Sequence, residues 1–432
     1  MKKLIKLGLV LALVLITAAC SQGANSENNS ESTEGSEDKN TTIEFWTMQL
    51  KPTFTDYIQG VIDDFEKENP NITVEWLDVP AADLDKKILS SVSSNTAPDV
   101  VNLNPTFASQ LASMDALVNM DEELSDKEQE SYVEGAWEAN QLNGETFAMP
   151  WYLSTEVTLN NSMIYEEAGL DIENAPETYE EAREMTETIM NETDKYGYFP
   201  SMDLSLVLQH MVKMGVDLTN EDMSKAAFNT EDGLKAFEYF TEMYQNDMMP
   251  AEALTGDQRE SIDMYQAGQT TFFAGSQFIS QIEENAPEIY ENTVPSQAIT
   301  GKSGKKSISV QNVVVPSQTK NKDAAVKFGK FLTNAENQLA FTKLTPILPS
   351  AKEALEDPYF TEKPEDATPK DMVRLVSASQ LDEAELLVPP MDNYNELRQS
   401  MFDAISASML GEMEPQKALD KAEKEWNEIL SQ

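Results

Sequence analysis

Amides, hydroxyls, carboxylates and aromatic rings are the chemistry this chain can offer. Gln49 and Lys51 stand just past one apolar run, Thr42 to Trp46, and Asn104 and Thr106 just past another, Val100 to Leu103. A side-chain amide donates and accepts hydrogen bonds at once, whereas an ammonium only donates. Such groups suit holding a polar molecule better than attacking one. The reactive alternatives are few. The 432 residues contain a single histidine, His210, and a single cysteine, Cys20. That excludes multi-histidine zinc sites and internal disulfides, and it weakens any Ser-His-Asp or Cys-His arrangement. No GxxxxGK[ST] phosphate loop and no HExxH helix occurs. The stretch Gly301-Lys302-Ser303-Gly304-Lys305-Lys306 lacks the loop spacing and reads as an exposed basic turn.

Charge narrows the classes further. Lys plus Arg number 31 against 76 Asp plus Glu, a formal net charge of −45. A phosphate backbone is repelled by such a surface, so nucleic acid is excluded as a partner. Runs such as Glu122-Glu123 and Glu283-Glu284 read as solvated faces. A hydrolase working on glycosidic bonds would need two carboxylates about 5–10 Å apart; this many acids permit a pair without locating one. Calcium held by carboxylates also stays open.

The elements that must position these groups follow from periodicity. Thr42 to Trp46 predicts a strand. Phe54, Ile58, Val61, Ile62 and Phe65 mark one helix face, Ile72, Val74 and Trp76 a second strand, Leu84, Ile88, Leu89 and Val92 a second helix, and Val100 to Leu103 a third strand. A β-α-β-α-β order implies a parallel sheet covered on both faces, with ligands at the C-terminal strand ends. Thr155 to Asn160 and Ser307 to Pro316 read as further strands, and Asn395 to Leu430 as two helices. Hydrophobic residues make up 40% of the chain, and its length allows two domains.

Lys2, Lys3 and Lys6 precede an apolar run from Leu7 to Ala19, too short for the ~20 residues of a membrane-spanning helix. It ends in Ala18-Ala19-Cys20, which resembles a bacterial lipoprotein signal cleaved before an acylated Cys20; Thr17 departs from the usual leucine. Residues 21–41, rich in Ser, Asn and Glu, read as a disordered tether. The expected location is the outer face of the cell membrane, reached through the lipid alone.

The folded part resembles the extracellular solute-binding lipoproteins of bacterial ABC importers, in the sugar-binding branch that includes maltose-binding protein. The residues that carry the resemblance are Ile43 to Thr47, Phe65 to Pro70, Ala97 to Val101, Met149 to Tyr152, Met163 to Leu170, Tyr265 to Gln269 and Phe273 to Ser276. The resemblance implies an α/β fold of two lobes, each a mainly parallel sheet flanked by helices, with a hinged cleft between them. Lobe one would hold 42–150 and about 295–345, and lobe two about 151–294 and 346–432.

The implied ligand is a small carbohydrate, passed to the permease subunits of a transporter by a monomer that needs no cofactor and performs no catalysis. A sugar presents hydroxyl rims and flat C–H faces, which suit amides, carboxylates and rings. The expected contacts are Gln49, Lys51, Asp83, Asn104, Trp151, Tyr152, Gln311, Asn312 and Tyr394. Many sugar binders of the family carry Trp two residues after the glycine of the Gly275-Ser276 motif; this chain has Gln277 and then Phe278, and both join the set. Each has a structural rival: Asp83 can serve a helix start, the amides can serve turns, and Trp46 reads as core. A binder of a peptide or polyamine is the alternative, and a peptide carboxylate would call for a buried cation.

Overall fold

A computed structural model describes residues 40–431, apart from 204–205, 255–257 and 392. The leader, Cys20 and the tether lie outside the described residues. Among the described residues no helix is long and apolar enough to cross a membrane.

The first third folds as its periodicity implies. β1 (Thr41–Met48), β2 (Ile72–Val79) and β3 (Val100–Leu103) run parallel in the order β3-β1-β2, and the helices Thr55–Glu68 and Ala81–Ser93 connect them. The first helix buries Ile58, Val61, Ile62 and Phe65, the stripe read from the sequence. A hairpin follows, β4 (Gln141–Leu142) with β5 (Glu145–Thr146). The chain then re-enters the first sheet as β6 (Met149–Thr155). A second sheet begins at once: β7 (Thr158–Asn161), β8 (Tyr196–Tyr198), β9 (Thr270–Ala274) and β10 (Thr293–Ser296), in the order β10-β7-β9-β8. The return strand β11 (Lys306–Val314) inserts between β3 and β6. β12 (Leu348–Pro349) then adds to β6, and β13 (Ala384–Glu385) pairs with the start of β11. Among the described residues the first sheet has seven strands and the second four.

Both sheets are mixed, where the sequence reading expects them mainly parallel. Parallel pairing holds for β1 with β2 and β3, for β8 with β9, and for β11 with β13. β11 meets β3 and β6 antiparallel, as do β12 with β6 and β7 with β9 and β10. The cause is connectivity. Parallel neighbours need a long crossover, whereas β11 arrives from the other half and enters from the opposite end.

The same strands move the expected boundaries. β6 stays in the first sheet through Thr155, so the first crossing is Glu156-Val157 and not the Pro150 region. Leu348, Phe360, Leu381 and Ala384 pack with Leu153, Ile308 and Val310 of the first sheet, although the sequence reading places 346–432 in the second lobe. Within 346–432 the second core takes Val373 from the helix Pro369–Ser379 and, from the last two helices, Tyr394–Met409 and Pro415–Leu430, Leu397, Met401, Leu419 and Trp426.

Among the described residues three chain segments thus pass between the sheets, and one side chain joins the first two. The Gln380 amide is buried. It donates to the Thr155 hydroxyl at 2.8 Å and to the Glu156 carbonyl at 2.5 Å, and it accepts from the Ala298 N–H at 3.1 Å. Gln380 itself ends the helix Pro369–Ser379, ahead of β13. Ser377 adds a hydroxyl contact to Thr155 at 2.9 Å.

Trp151, expected on the cleft, is fully buried instead. Its ring stacks on Phe341 at 5.3 Å and meets Tyr152 edge-on at 5.2 Å. The register explains the placement: Gln311 faces Tyr152 and Asn312 faces Pro150, so Trp151 is the extra residue of a bulge whose side chain turns into the core. We therefore expect Trp151→Ala to lower stability by about 3–5 kcal/mol, read from urea unfolding. A loss under about 1 kcal/mol would contradict the core role.

Candidate functional site

Two polar cavities lie between the halves. The inner one, of about 320 Å³, sits at the first crossing. The first sheet contributes Ser154 and Thr155 from β6 and Ser307 and Ser309 from β11; the second half contributes Asp203, Gln209, Ser276 and Gln277. Glu156, on the crossing, borders it as well.

Local chemistry sets these positions. After β9 the chain turns at Gly275, whose N–H donates to the Val157 carbonyl at 3.1 Å. A Cβ there would stand 2.3 Å from the Phe273 ring, so the turn requires glycine. The Ser276 hydroxyl donates to the Thr155 carbonyl at 3.2 Å, which ties the turn to the crossing and leaves Gln277 exposed at the cavity. Lys213 reaches Glu156 from the helix Leu206–Lys213, with Nζ 2.5 Å from Oε1. The Ser307 hydroxyl donates to the Gln209 side-chain Oε1 at 2.8 Å.

The outer cavity, of about 590 Å³, lies between the helix Pro105–Ala112 and the start of the helix Tyr394–Met409. Thr106, Ser109 and Gln110 face Asn393, Tyr394 and Glu396 across it. Burial pushes the Tyr394 hydroxyl pKa up; Arg398 opposes the shift and the Asp203 carboxylate adds to it. Asp203 also borders the inner cavity.

The structure distributes the expected contacts unevenly. Gln277 borders the inner cavity and Tyr394 the outer one. Asn104 spends its carboxamide as an N-cap, accepting from the Phe107 N–H at 2.9 Å. Asn312 is fully buried and accepts from the Asn140 amide at 2.8 Å. Gln311 is half-buried and accepts from Asn102 at 3.3 Å. Tyr152 is half-buried edge-on to Phe341, and Phe278 packs on the second core. Trp151 and Asn312 are thereby corrected to interior residues, while the half-buried Asn104 uses its Oδ1 for the cap.

Gln49, Lys51 and Asp83 are exposed at the C-terminal ends of β1 and β2. Asp78, unremarked in the sequence, fixes their turn. It accepts from the Thr47 hydroxyl at 2.7 Å, the Leu50 N–H at 2.8 Å and the Lys51 N–H at 2.9 Å. Lys51 Nζ lies 4.0 Å from the centre of the Trp76 ring, a cation–π contact. Glu156, Asp203 and Gln209 also escaped the sequence reading. Glu156 carried one signal, an acid inside an otherwise apolar and hydroxylated run.

His210 stands behind the inner cavity on the helix that supplies Gln209 and Lys213. Its Nε2 lies 3.2 Å from the Ser201 carbonyl and its Nδ1 2.7 Å from the Tyr179 hydroxyl. A carbonyl only accepts, so Nε2 carries the hydrogen and Nδ1 accepts from Tyr179. Burial, reinforced by the Lys213 charge and opposed by the Ser201 bond, depresses its pKa to about 3. The stability from keeping this ring neutral is full above the unfolded value of about 6.5 and is lost as pH falls toward 3. We expect a loss of about 2 kcal/mol between pH 7 and pH 5 that His210→Gln does not share. Urea unfolding at the two pH values measures it, and equal losses in both proteins would refute the assignment.

An α/β body of two sheets, with polar cavities between its halves, defines the class of two-lobed solute-binding proteins. Residues 51–339 match the family model described as bacterial extracellular solute-binding protein, and the chain belongs to that family. A structure from Synechococcus sp. MITs9220, assigned as an oligosaccharide periplasmic-binding protein, is similar at 34% identity and a TM-score of 0.81, covering 90% of this chain and 99% of that one. The cyclic alpha-maltosyl-1,6-maltose binding protein of Arthrobacter globiformis shares the fold at a TM-score of 0.77 and 21% identity, covering 90% of this chain and 98% of that one. The diacetylchitobiose binding protein of Streptomyces coelicolor is 22% identical over 367 residues, 82% of this chain and 83% of that protein.

Proposed function

We propose that this chain is the extracellular binding component of a bacterial ABC importer, capturing a sugar between its two halves and delivering it to the membrane permease. One observation carries the reading: the space between the sheets is lined from both sides by hydroxyls, amides and carboxylates, with the Tyr394 ring on its outer part. Hydroxyls of a sugar can pair with each of these groups, and its C–H face can rest on an aromatic ring. Cavities of a few hundred Å³ suit a small ligand. Closure of the halves about the crossings would bury it.

Binding without turnover fits the carboxylate beside the hinge, since Glu156 is held in an ion pair with Lys213. In this reading Gln277 and Tyr394 touch the ligand, while Gln49, Lys51 and Asp83 stand at the rim. The lobes follow the sheets: about 41–155 with 306–385, and about 158–296 with 394–430. Named sugars among the relatives, a diacetylchitobiose and a cyclic maltosyl-maltose, support a carbohydrate of more than one ring.

A thermal-shift screen against mono- and oligosaccharides tests the reading. A sugar at 100 times its Kd should stabilise the fold by about 2.7 kcal/mol. Gln277→Ala and Tyr394→Ala should each weaken it at least about tenfold, a cost of about 1.4 kcal/mol, with unfolding of the free protein unchanged. Cleavage of the sugar would overturn the reading, as would unaltered affinity in both variants. We further propose that the mature protein is a lipid-anchored monomer, acylated at Cys20. Cys20→Ala should then appear in the medium; retention of that variant on membranes would refute the anchor.

A further inference from the structure

We infer that the space between the halves selects an uncharged oligosaccharide and rejects its uronic-acid counterpart. The inference rests on the sugar-binding reading above and adds the charge class of the ligand. Glu156 and Asp203 border the inner cavity and Glu396 the outer one, while no lysine or arginine is among the residues described as bordering either. Two cations stand behind this lining. Lys213, its side chain 2% exposed, is committed to Glu156. Arg398 lies 5.4 Å from the centre of the Tyr394 ring and acts on the same hydroxyl as Asp203. Three carboxylates against two cations leave a local charge of −1, in a chain whose net charge is −45.

The hydrogen-bond chemistry points the same way. A carboxylate accepts from sugar hydroxyls, and bonds to a charged acceptor are the stronger ones. A uronate brings a second acceptor-only group, so it finds repulsion at the lining where a neutral hydroxyl finds a partner. Like charges placed together at an interface act mainly as a filter against wrong partners.

Calorimetry on the whole secreted protein decides the matter. Neutral gluco-, galacto- and xylo-oligosaccharides of two to four rings are compared with oligogalacturonates and oligoglucuronates of the same length, at low and at high salt. Neutral glycans should bind at least about tenfold more tightly than the acids, with the gap narrowing at high salt and in Glu396→Gln. Uronates that bind as tightly as the neutral glycans, or more tightly, would overturn the charge class while leaving the sugar reading standing. Loss of that uronate binding in Arg398→Met would name the guanidinium as the anchor. Heat of binding from neither set would overturn both readings together.

Discussion

β11 is the strand on which the rest of the molecule depends. It comes back from the second half and occupies the middle of the first sheet, with β3 on one side and β6 on the other. Every backbone N–H and C=O at the centre of a sheet must find a partner, so β3 and β6 can share one sheet only when β11 is between them. Val310, Val313 and Val314 bury their side chains there. The buried Asn312 binds the two flanking segments through Asn102 and Asn140. Once β6 is fixed in this way, its last residue, Thr155, delivers the chain to the first crossing.

The placement of the cavities follows from that order. Ser307 and Ser309 precede the buried part of β11, and Ser154 and Thr155 end β6, so hydroxyl-bearing residues collect at the same edge. The second half meets this edge with a glycine-bound turn and a helix. Apolar side chains share the linings, Leu206 in the inner cavity and Met114, Leu142 and Met391 in the outer one. What holds the walls is hydrogen bonding to backbone carbonyls, from Ser276 to Thr155 and from Gln380 to Glu156.

Much of the fold was legible in the sequence because burial writes a period into it. β1 to β3 and their helices emerged from alternation and from the i, i+4, i+7 stripe. Trp151 falls in step with Leu153 and Thr155, all three buried, while Tyr152 and Ser154 between them are half-buried. Reading the run by strand parity assigns Trp151 inward and Ser154 toward the cavity. Gln277, carried by a family motif, borders the inner cavity, and Tyr394, at the start of the tail helices, borders the outer one. Glu156 and Asp203 were not separable from the other acids, because contacts between distant segments select them. Mixed pairing was hidden for the same reason, since strand direction depends on which half the chain comes from.

The amide of Gln380 has a mechanical consequence. Three separate peptide connections between two bodies would ordinarily allow independent twisting, sliding and bending. With Thr155, Glu156 and Ala298 bonded to one side chain at the end of the helix Pro369–Ser379, the first two connections are coupled. A displacement of one connection therefore strains the bonds to the other, so the two cannot shift independently while the amide stays paired.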